Sequence, residues 1–364
     1  MSNHKKQTKQ TKKSCWSLDT FIVGPSALLL ALGDLSTWLS PESFMPLAFT
    51  GLVFPYALLA FAVGVILRIT RGAWKGLIWP AVILFLLWPA VVSTFGGLSS
   101  TEASQMNESE VSELSVTSFN VRRMDEYGWS GNENTRAEIA NWIGNNLVDV
   151  FSFQEFPSKA KVEVLRKLHG YKFYTVTKGA GPAIATSKRV INNSKWLGPE
   201  DEHYRGVWVD LLNGDDTVRV VNVHLQSVGF GKSDYEAVRE GTDSEDRLRL
   251  FEILSKAYEK RADQAEALRE FIDLSPYPVV LTGDFNDTPV SYATAKIKGD
   301  DDRAVPLFDT FNSVGSGLGA TYVGDLPGLR IDFIMHSDRL TPTHFTTHSL
   351  RLSDHRPVSA IFEH

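Results

Sequence analysis

From Met45 to Leu67 the chain runs 23 residues without a charged side chain, and from Leu77 to Phe95 it does so again for 19. A third run, Thr20 to Leu39, is apolar apart from Asp34. Each is about long enough to cross a hydrocarbon core of roughly 30 Å. Buried core helices are the alternative, but two uncharged runs of this length in one short region disfavour it. The sequence therefore predicts three transmembrane helices, the first weakened by Asp34. Basic residues give them a direction. "HKKQTKQTKK" precedes the first run and "RITRGAWK" joins the second to the third, whereas "SPESF" between the first two has an acid and no base. The positive-inside bias then places the N-terminus in the cytoplasm and everything after Gly97 across the membrane. Trp16, Trp38 and Trp74 fall near the run ends, where indole rings favour the interface. No persuasive small-residue site follows any run, which argues against a cleaved signal peptide.

The remainder of the chain is of a different kind. "GGLSSTEASQMNESEVSE", from Gly96, is small, polar and acidic, the composition of a flexible tether. Four parts result: a basic cytoplasmic N-terminus (1–19), a three-span anchor (20–96), a linker (97–113) and a soluble domain (114–364). Beyond the anchor there are 29 basic and 40 acidic residues, a net charge of about −11. Such a surface repels bulk polyanions, so a general nucleic-acid-coating role is excluded. The single cysteine, Cys15, excludes an intrachain disulfide, and with Lys-Lys-Ser before it reads as a juxtamembrane residue rather than a lipidation site.

Within the soluble domain, short apolar runs repeatedly end on the same kinds of polar residue. "LSVTSFN" ends at Asn120, "VDVFSFQE" at Glu155 and "VRVVNVHLQS" reaches His224. "YPVVLTGDFN" ends at Asp284 and Asn286, "LRIDFIM" contains Asp332, and "LSDHRPVSAIF" has Asp354 and His355 before its last strand. Helical patterns lie between them, from Asn134, Ser158 and Ser244. Alternating strands and helices predict an α/β arrangement with helix-covered sheets. In such folds the chemistry collects where strands deliver side chains to one rim. Each residue also has a structural reading: Asp-Phe-Asn-Asp as a turn, Gln-Glu as a solvated strand end, His224 as a core histidine. The joint set decides. It supplies hard oxygen ligands for a cation such as Mg2+ and two imidazoles for proton transfer. The other histidines, His169, His203, His336, His344 and His348, are read as surface or loop residues.

In this order the motifs resemble the endonuclease/exonuclease/phosphatase superfamily: "SFNV", "FSFQEF", "GPAIATSKRV" from Gly181, "YRGVWVDL" with Arg205, "VNVHLQS", "LTGDFND", "RIDFIM" and "LSDHRPV". They span Leu114 to the C-terminus. The N-terminal region is similar to that of membrane-anchored members in Bacteroidetes-type bacteria. The resemblance implies a four-layer α/β sandwich, two packed β-sheets flanked by helices. It also implies a metal-dependent phosphodiesterase, phosphatase or nuclease using Mg2+, with Mn2+ as substitute. Glu155 would be the principal metal ligand, with Asn120 and Asp354 beside it. His355 oriented by Asp332 would form a dyad, with Asp284 the rival candidate for activating water. Asn286 and His224 would contact phosphate oxygens or protonate the leaving group, and Arg205 would contact phosphate. One departure is Arg122, which stands where apurinic endonucleases carry an acid; with the extracytoplasmic placement it disfavours abasic-site repair.

The sequence thus predicts a multi-pass inner-membrane phosphoesterase with a periplasmic catalytic domain. Nucleic acid, a phospholipid head group or a soluble phosphoester would be its substrate, and no obligate protein partner is implied. The competing reading is a catalytically silent, membrane-anchored binding module on the same fold. Retention of all the chemistry-bearing residue types speaks against it.

Overall fold

The structure, a computed structural model, describes residues 17–97, 112–175, 179–199, 205–228, 244–299, 302–324 and 326–364. The basic N-terminus with Cys15 and Trp16, most of the tether and most of the polar insertion after Val228 lie outside the described residues.

The apolar runs form helices α1 (Leu18–Ser36) and α2 (Met45–Thr70). The third run divides into α3 (Ile78–Leu86) and α4 (Trp88–Thr94). Two helices are therefore long and apolar enough to span a membrane, and the third candidate is a pair bent by 70°. The bend falls where Pro89 stands in the first turn of α4, since proline has no N–H to donate and its ring displaces the carbonyl four residues back. α1 and α2 pack antiparallel through glycines: a Cβ on Gly33 would meet Phe54, and one on Gly64 would meet Val23. Small residues at such crossings let the backbones approach. At one end of this pair Asp19 accepts from Arg68 and Arg71, each at 2.8 Å. The outward faces are apolar, with Phe85 79% and Trp79 73% exposed, the inverse of a water-facing helix.

The soluble domain has twelve described strands: β1 (Glu113–Asn120), β2 (Val150–Pro157), β3 (Lys172–Thr175), β4 (Ala180–Thr186), β5 (Val190–Trp196), β6 (Gly206–Asn213), β7 (Asp216–His224), β8 (Val279–Asp284), β9 (Leu307–Asp309), β10 (Asp332–Ser337), β11 (Thr341–Thr347) and β12 (Val358–Glu363). They make two six-stranded sheets, in the orders β11-β12-β1-β2-β4-β3 and β5-β6-β7-β8-β10-β9. Val116, Val150 and Ile184 of the first sheet pack against Val209, Val220 and Ile334 of the second, forming the central core. The outer face of the first sheet is covered by the helix Thr135–Asn145, and that of the second by Ser244–Asp273 and Tyr292–Lys298. This is the four-layer sandwich expected from the sequence. Strands buried on both faces favour apolar residues on each, which is why Val279, Val280 and Leu281 of β8 follow one another without a polar residue between them.

Two details depart from the sequence reading. The helix predicted from Ser158 is only a turn followed by Lys161–Leu165. His336 is neither surface nor loop: it lies on β10 at 4% exposure, its Nδ1 2.9 Å from Thr310 Oγ1 and its ring against Phe308 and Phe362. Burial pushes its pKa down to about 4. It is a neutral core histidine, as an apolar strand permits when a hydroxyl satisfies one ring nitrogen.

Candidate active site

The two parallel pairings, β1 with β2 and β7 with β8, bring strand ends to the same rim. Asn120 registers with Gln154, His224 with Asp284, and Asp284 across the antiparallel side with Asp332. Three chemistry-bearing residues thus stand side by side on adjacent strands, about 4.8 Å apart per step. Below them, Gln154 Nε2 donates to Asn222 Oδ1 across the two sheets at 2.7 Å, and Asn222 Nδ2 returns to the carbonyls of Phe153 and Ala183. This fully buried amide pair fixes the spacing of the sheets under the site.

The first wall of the site is carried by β8 and β10 of the second sheet, and His355 reaches it from the loop before β12 of the first. His355 Nδ1 lies 2.9 Å from Asp332 Oδ2, and its Nε2 lies 3.7 Å from Asp284 Oδ2. All three are almost completely buried. Burial alone would lower the His355 pKa, but Asp332, Asp284 and Asp354 outweigh it and raise it to about 10. Burial pushes the Asp284 carboxyl up, with Asp332 reinforcing the shift and His355 and His224 opposing it. Asp284 also accepts from Asn120 Nδ2 at 2.8 Å and from the Asn286 amide at 2.8 Å.

The second wall comes from β1, β2 and the loop before β12, and it is more open. Glu155 sits at an irregularity in the β2–β4 register with φ +49, so its side chain is turned out of the strand. Burial raises its pKa and Asp354 adds to the rise, while His355, Asn120 and Arg122 pull it back. Asn120 Nδ2 lies 3.5 Å from Glu155 Oε1. Asp354 is held by Arg122, Nε to Oδ2 at 3.2 Å. Arg122 opens four successive residues at positive φ, Arg122 to Asp125, and its guanidinium lies over the Trp129 ring at 4.3 Å. A left-handed run of non-glycine residues costs about 1–2 kcal/mol per residue, and such strain persists where the surroundings over-determine it.

His224 closes the gap between the walls, with Nε2 4.0 Å from Glu155 Oε1 and 3.7 Å from Asp284 Oδ2. That nitrogen is buried and makes no hydrogen bond among the described residues. Burial lowers the His224 pKa, with Asp284 opposing. A buried polar atom left without a partner is costly, so it marks a place for a ligand oxygen or water.

Asn120, Glu155, His224, Asp284, Asp332, Asp354 and His355 are thus brought together. Asn286, at φ +54, is adjacent, but its Nδ2 donates to the Leu225 carbonyl. Arg205 stands one step away: its carbonyl accepts from the His224 amide, and its guanidinium donates to Gln226 Oε1 at 2.7 Å. The sequence reading treated Arg122 only as a departure and missed Ser353, whose hydroxyl donates to the Asn120 carbonyl at 2.8 Å. It also missed Tyr322, which bridges backbone to His355 and sets its ring edge-on to the imidazole. The Arg-Arg pair after the motif Asn was the visible signal for the first; the others had none.

Four carboxylates (Glu155, Asp284, Asp332, Asp354) face Arg122 and the His355 imidazolium, which leaves a surplus of two negative charges when all four are ionised. Hard oxygen donors with that surplus fit a divalent cation. Asp284, Asp332 and His355 offer ligand atoms within 4.8 Å of one another, but Asp332 and His355 are already bonded together. The open Glu155–Asp354 wall is the better fit for an ion.

Residues 117–355 match the model of the Endonuclease/Exonuclease/phosphatase family, and the chain belongs to that family. It is therefore a phosphoesterase of a divalent-metal-dependent class. Among solved structures it is similar to a family protein from Bacteroides thetaiotaomicron, at 19% identity and TM-score 0.53, covering 70% of this chain and 98% of that one. A mannosyl-6-phosphatase of the same organism gives 20% identity and TM-score 0.50, covering 68% and 98%. TDP2 of D. rerio, humanized by 14 mutations, gives 16% and 0.52, covering 69% and 98%. No curated protein matches the chain by sequence.

Proposed function

We propose that the chain is a membrane-tethered, Mg2+-dependent phosphoesterase whose catalytic domain (114–364) works outside the cytoplasm, carried by a membrane anchor (20–96) and a short linker (97–113). The observation that carries the chemistry is the pairing of a buried, carboxylate-held imidazole, His355, with the unpartnered Nε2 of His224 across a space lined by Asp284 and Glu155. Glu155 and Asp354, with Asn120, would hold the ion, which when bound supplies charge for the non-bridging and leaving oxygens. His355, kept protonated by Asp332, Asp284 and Asp354, donates a hydrogen bond or proton to a phosphate oxygen. Asp284, whose carboxyl is pushed up by burial, orients and deprotonates the attacking water. His224 and Asn286 hold phosphate oxygens or protonate the leaving group, and Arg205 adds positive charge beside them.

Several observations support the tether and its direction. From the Asp19–Arg68 level to the Ser36–Gly51 level α1 rises about 26 Å, close to a hydrocarbon thickness. Among the described residues the contacts of the catalytic domain with the helices cluster at the second of these ends, through Gly51, Tyr56 and Ser93. The basic N-terminal segment precedes the other end, as expected for a cytoplasmic face. The site therefore stands beside the bilayer surface, which favours a phosphate ester that reaches that surface.

The test uses the full chain in lipid nanodiscs with bis-p-nitrophenyl phosphate, in Mg2+ and in EDTA. Product with Mg2+ and none with EDTA is expected; no metal-dependent product would favour the silent binding module. Parallel arms with plasmid DNA, RNA, a phospholipid and inositol phosphates assign the substrate. A reporter active only in the periplasm, fused after His364, should be active; a silent fusion overturns the orientation.

A further inference from the structure

The catalytic domain does not merely hang from the helices. α2 contains Pro55, and proline has no N–H, so the carbonyl four residues earlier, that of Gly51, lacks its helical donor. In an apolar setting an unsatisfied carbonyl costs several kcal/mol. Thr288 Oγ1 supplies the missing donor at 3.0 Å. The approach requires a glycine: a Cβ at position 51 would come within 2.1 Å of the Val290 carbonyl oxygen. Val290 is itself buried among Phe54, Leu58 and Leu87 of the helices. A second contact has the same logic. Ser93 lies in the last turn of α4, where carbonyls have no helical partner, and the buried Arg330 donates to its oxygen at 2.7 Å while pairing with Asp309.

Both contacts fall on segments that carry site residues. Thr288 is four residues after Asp284, and Arg330 is two residues before Asp332, so their Cα atoms lie within about 14 Å and 7 Å of the two carboxylate residues. The segments are tied to each other and to the dyad. The Phe285 amide donates to the Ile331 carbonyl at 2.9 Å, the Asp332 amide donates to Thr321 Oγ1 at 3.2 Å, and the Arg356 amide donates to the Thr321 carbonyl at 2.8 Å.

We propose that the Gly51–Pro55 notch of α2 and the C-terminus of α4 are parts of the catalytic scaffold, with Gly51, Thr288 and Arg330 as positioning residues for Asp284 and Asp332. The inference rests on the phosphoesterase reading for its activity arm only. A misplacement of about 1 Å at reacting groups costs on the order of a hundredfold in rate, so loosening the notch slows the chemical step without unfolding the domain.

The experiment compares the full chain in nanodiscs with Gly51→Ala, Thr288→Val and Gly64→Ala. The last puts a milder clash, a Cβ 2.7 Å from the side-chain Cγ2 of Val23, into the same helix far from the domain. Gly51→Ala is expected to lower kcat by about 10- to 100-fold with KM unchanged, and to speed amide exchange at Phe285 and Asp332. Gly64→Ala is expected to do neither. Thr288→Val removes the hydroxyl that donates to Gly51 and, at a longer 3.3 Å, to the Val290 carbonyl while keeping the shape, so it decides the matter if Gly51→Ala fails to fold; it should lower kcat by at least about threefold. Wild-type exchange and kcat in Gly51→Ala, or losses matched by Gly64→Ala, overturn the proposal. If the wild type hydrolyses no phosphate ester, the functional reading fails, while the exchange measurement still tests the scaffold.

Discussion

The two walls of the site are built on opposite principles. On the first wall, Asp284 and Asp332 of the second sheet and His355 from the loop before β12 are sealed from water and satisfied by one another and by Asn120. On the other, Glu155 and Asp354 repel each other, are partly exposed, and are held by Arg122 and, at longer range, by His355. The protein buries and pairs the polar atoms of the first wall unaided and leaves those of the second open to solvent. A finished wall is suited to proton transfer, where tautomer and orientation must be fixed in advance. An unfinished one is suited to an ion.

Breaking the finished wall should have the largest effect. His355→Gln removes the group held by Asp332 and should cut turnover by about 10²- to 10⁴-fold, read as initial rates on bis-p-nitrophenyl phosphate, with metal affinity little changed. Glu155→Gln acts on the other wall: it should weaken Mn2+ binding by at least about 100-fold, more than loss of an outer contact, as followed by calorimetric titration. If both variants lose metal affinity equally, the walls do not divide the work as described.

The contrast has a signature in pH as well. The folded pKa of His355 is raised from 6.5 to about 10, so its contribution to stability is fully present below about pH 6.5 and is lost as pH rises through about 10. The melting temperature of the wild type relative to His355→Gln should therefore be constant at low pH and decline between about pH 6.5 and 10. A difference that rises with pH below about pH 6.5 and is flat above it would mean that the imidazole is held neutral.

How much of this was legible depends on where the information lies. Asn120, Glu155, His224, Asp284, Asp332 and His355 are found at strand ends because an apolar run that stops on a carboxylate or imidazole shows itself locally. The sandwich follows from those runs together with the helical patterns between them. What could not be read is long-range: Arg122 reaching Asp354 across more than two hundred residues, Thr288 answering the carbonyl freed by Pro55, and a hydroxyl satisfying His336. The third apolar run met the length criterion for a span, but the bend at Pro89 depends on how that proline's neighbours pack. In each case one partner has an ordinary local sequence, and its role exists only once the fold supplies the other.

The smallest expected effect is the most discriminating about the open wall. Arg122 is about two-fifths exposed on its side chain and pairs with Asp354 at 3.2 Å, a geometry in which solvent screening holds the interaction to about 0–1 kcal/mol. Its charge nevertheless competes with any cation that Glu155 and Asp354 would share, and it stands where a substrate phosphate would also seek a partner. Arg122→Met should therefore tighten Mn2+ binding by about two- to fivefold, seen in the same titration, while raising KM for the phosphate ester. Tighter metal with unchanged KM would make Arg122 a counter-charge only. Weaker metal binding would mean that the guanidinium props Asp354 into position, and the open wall would then be as protein-built as the closed one.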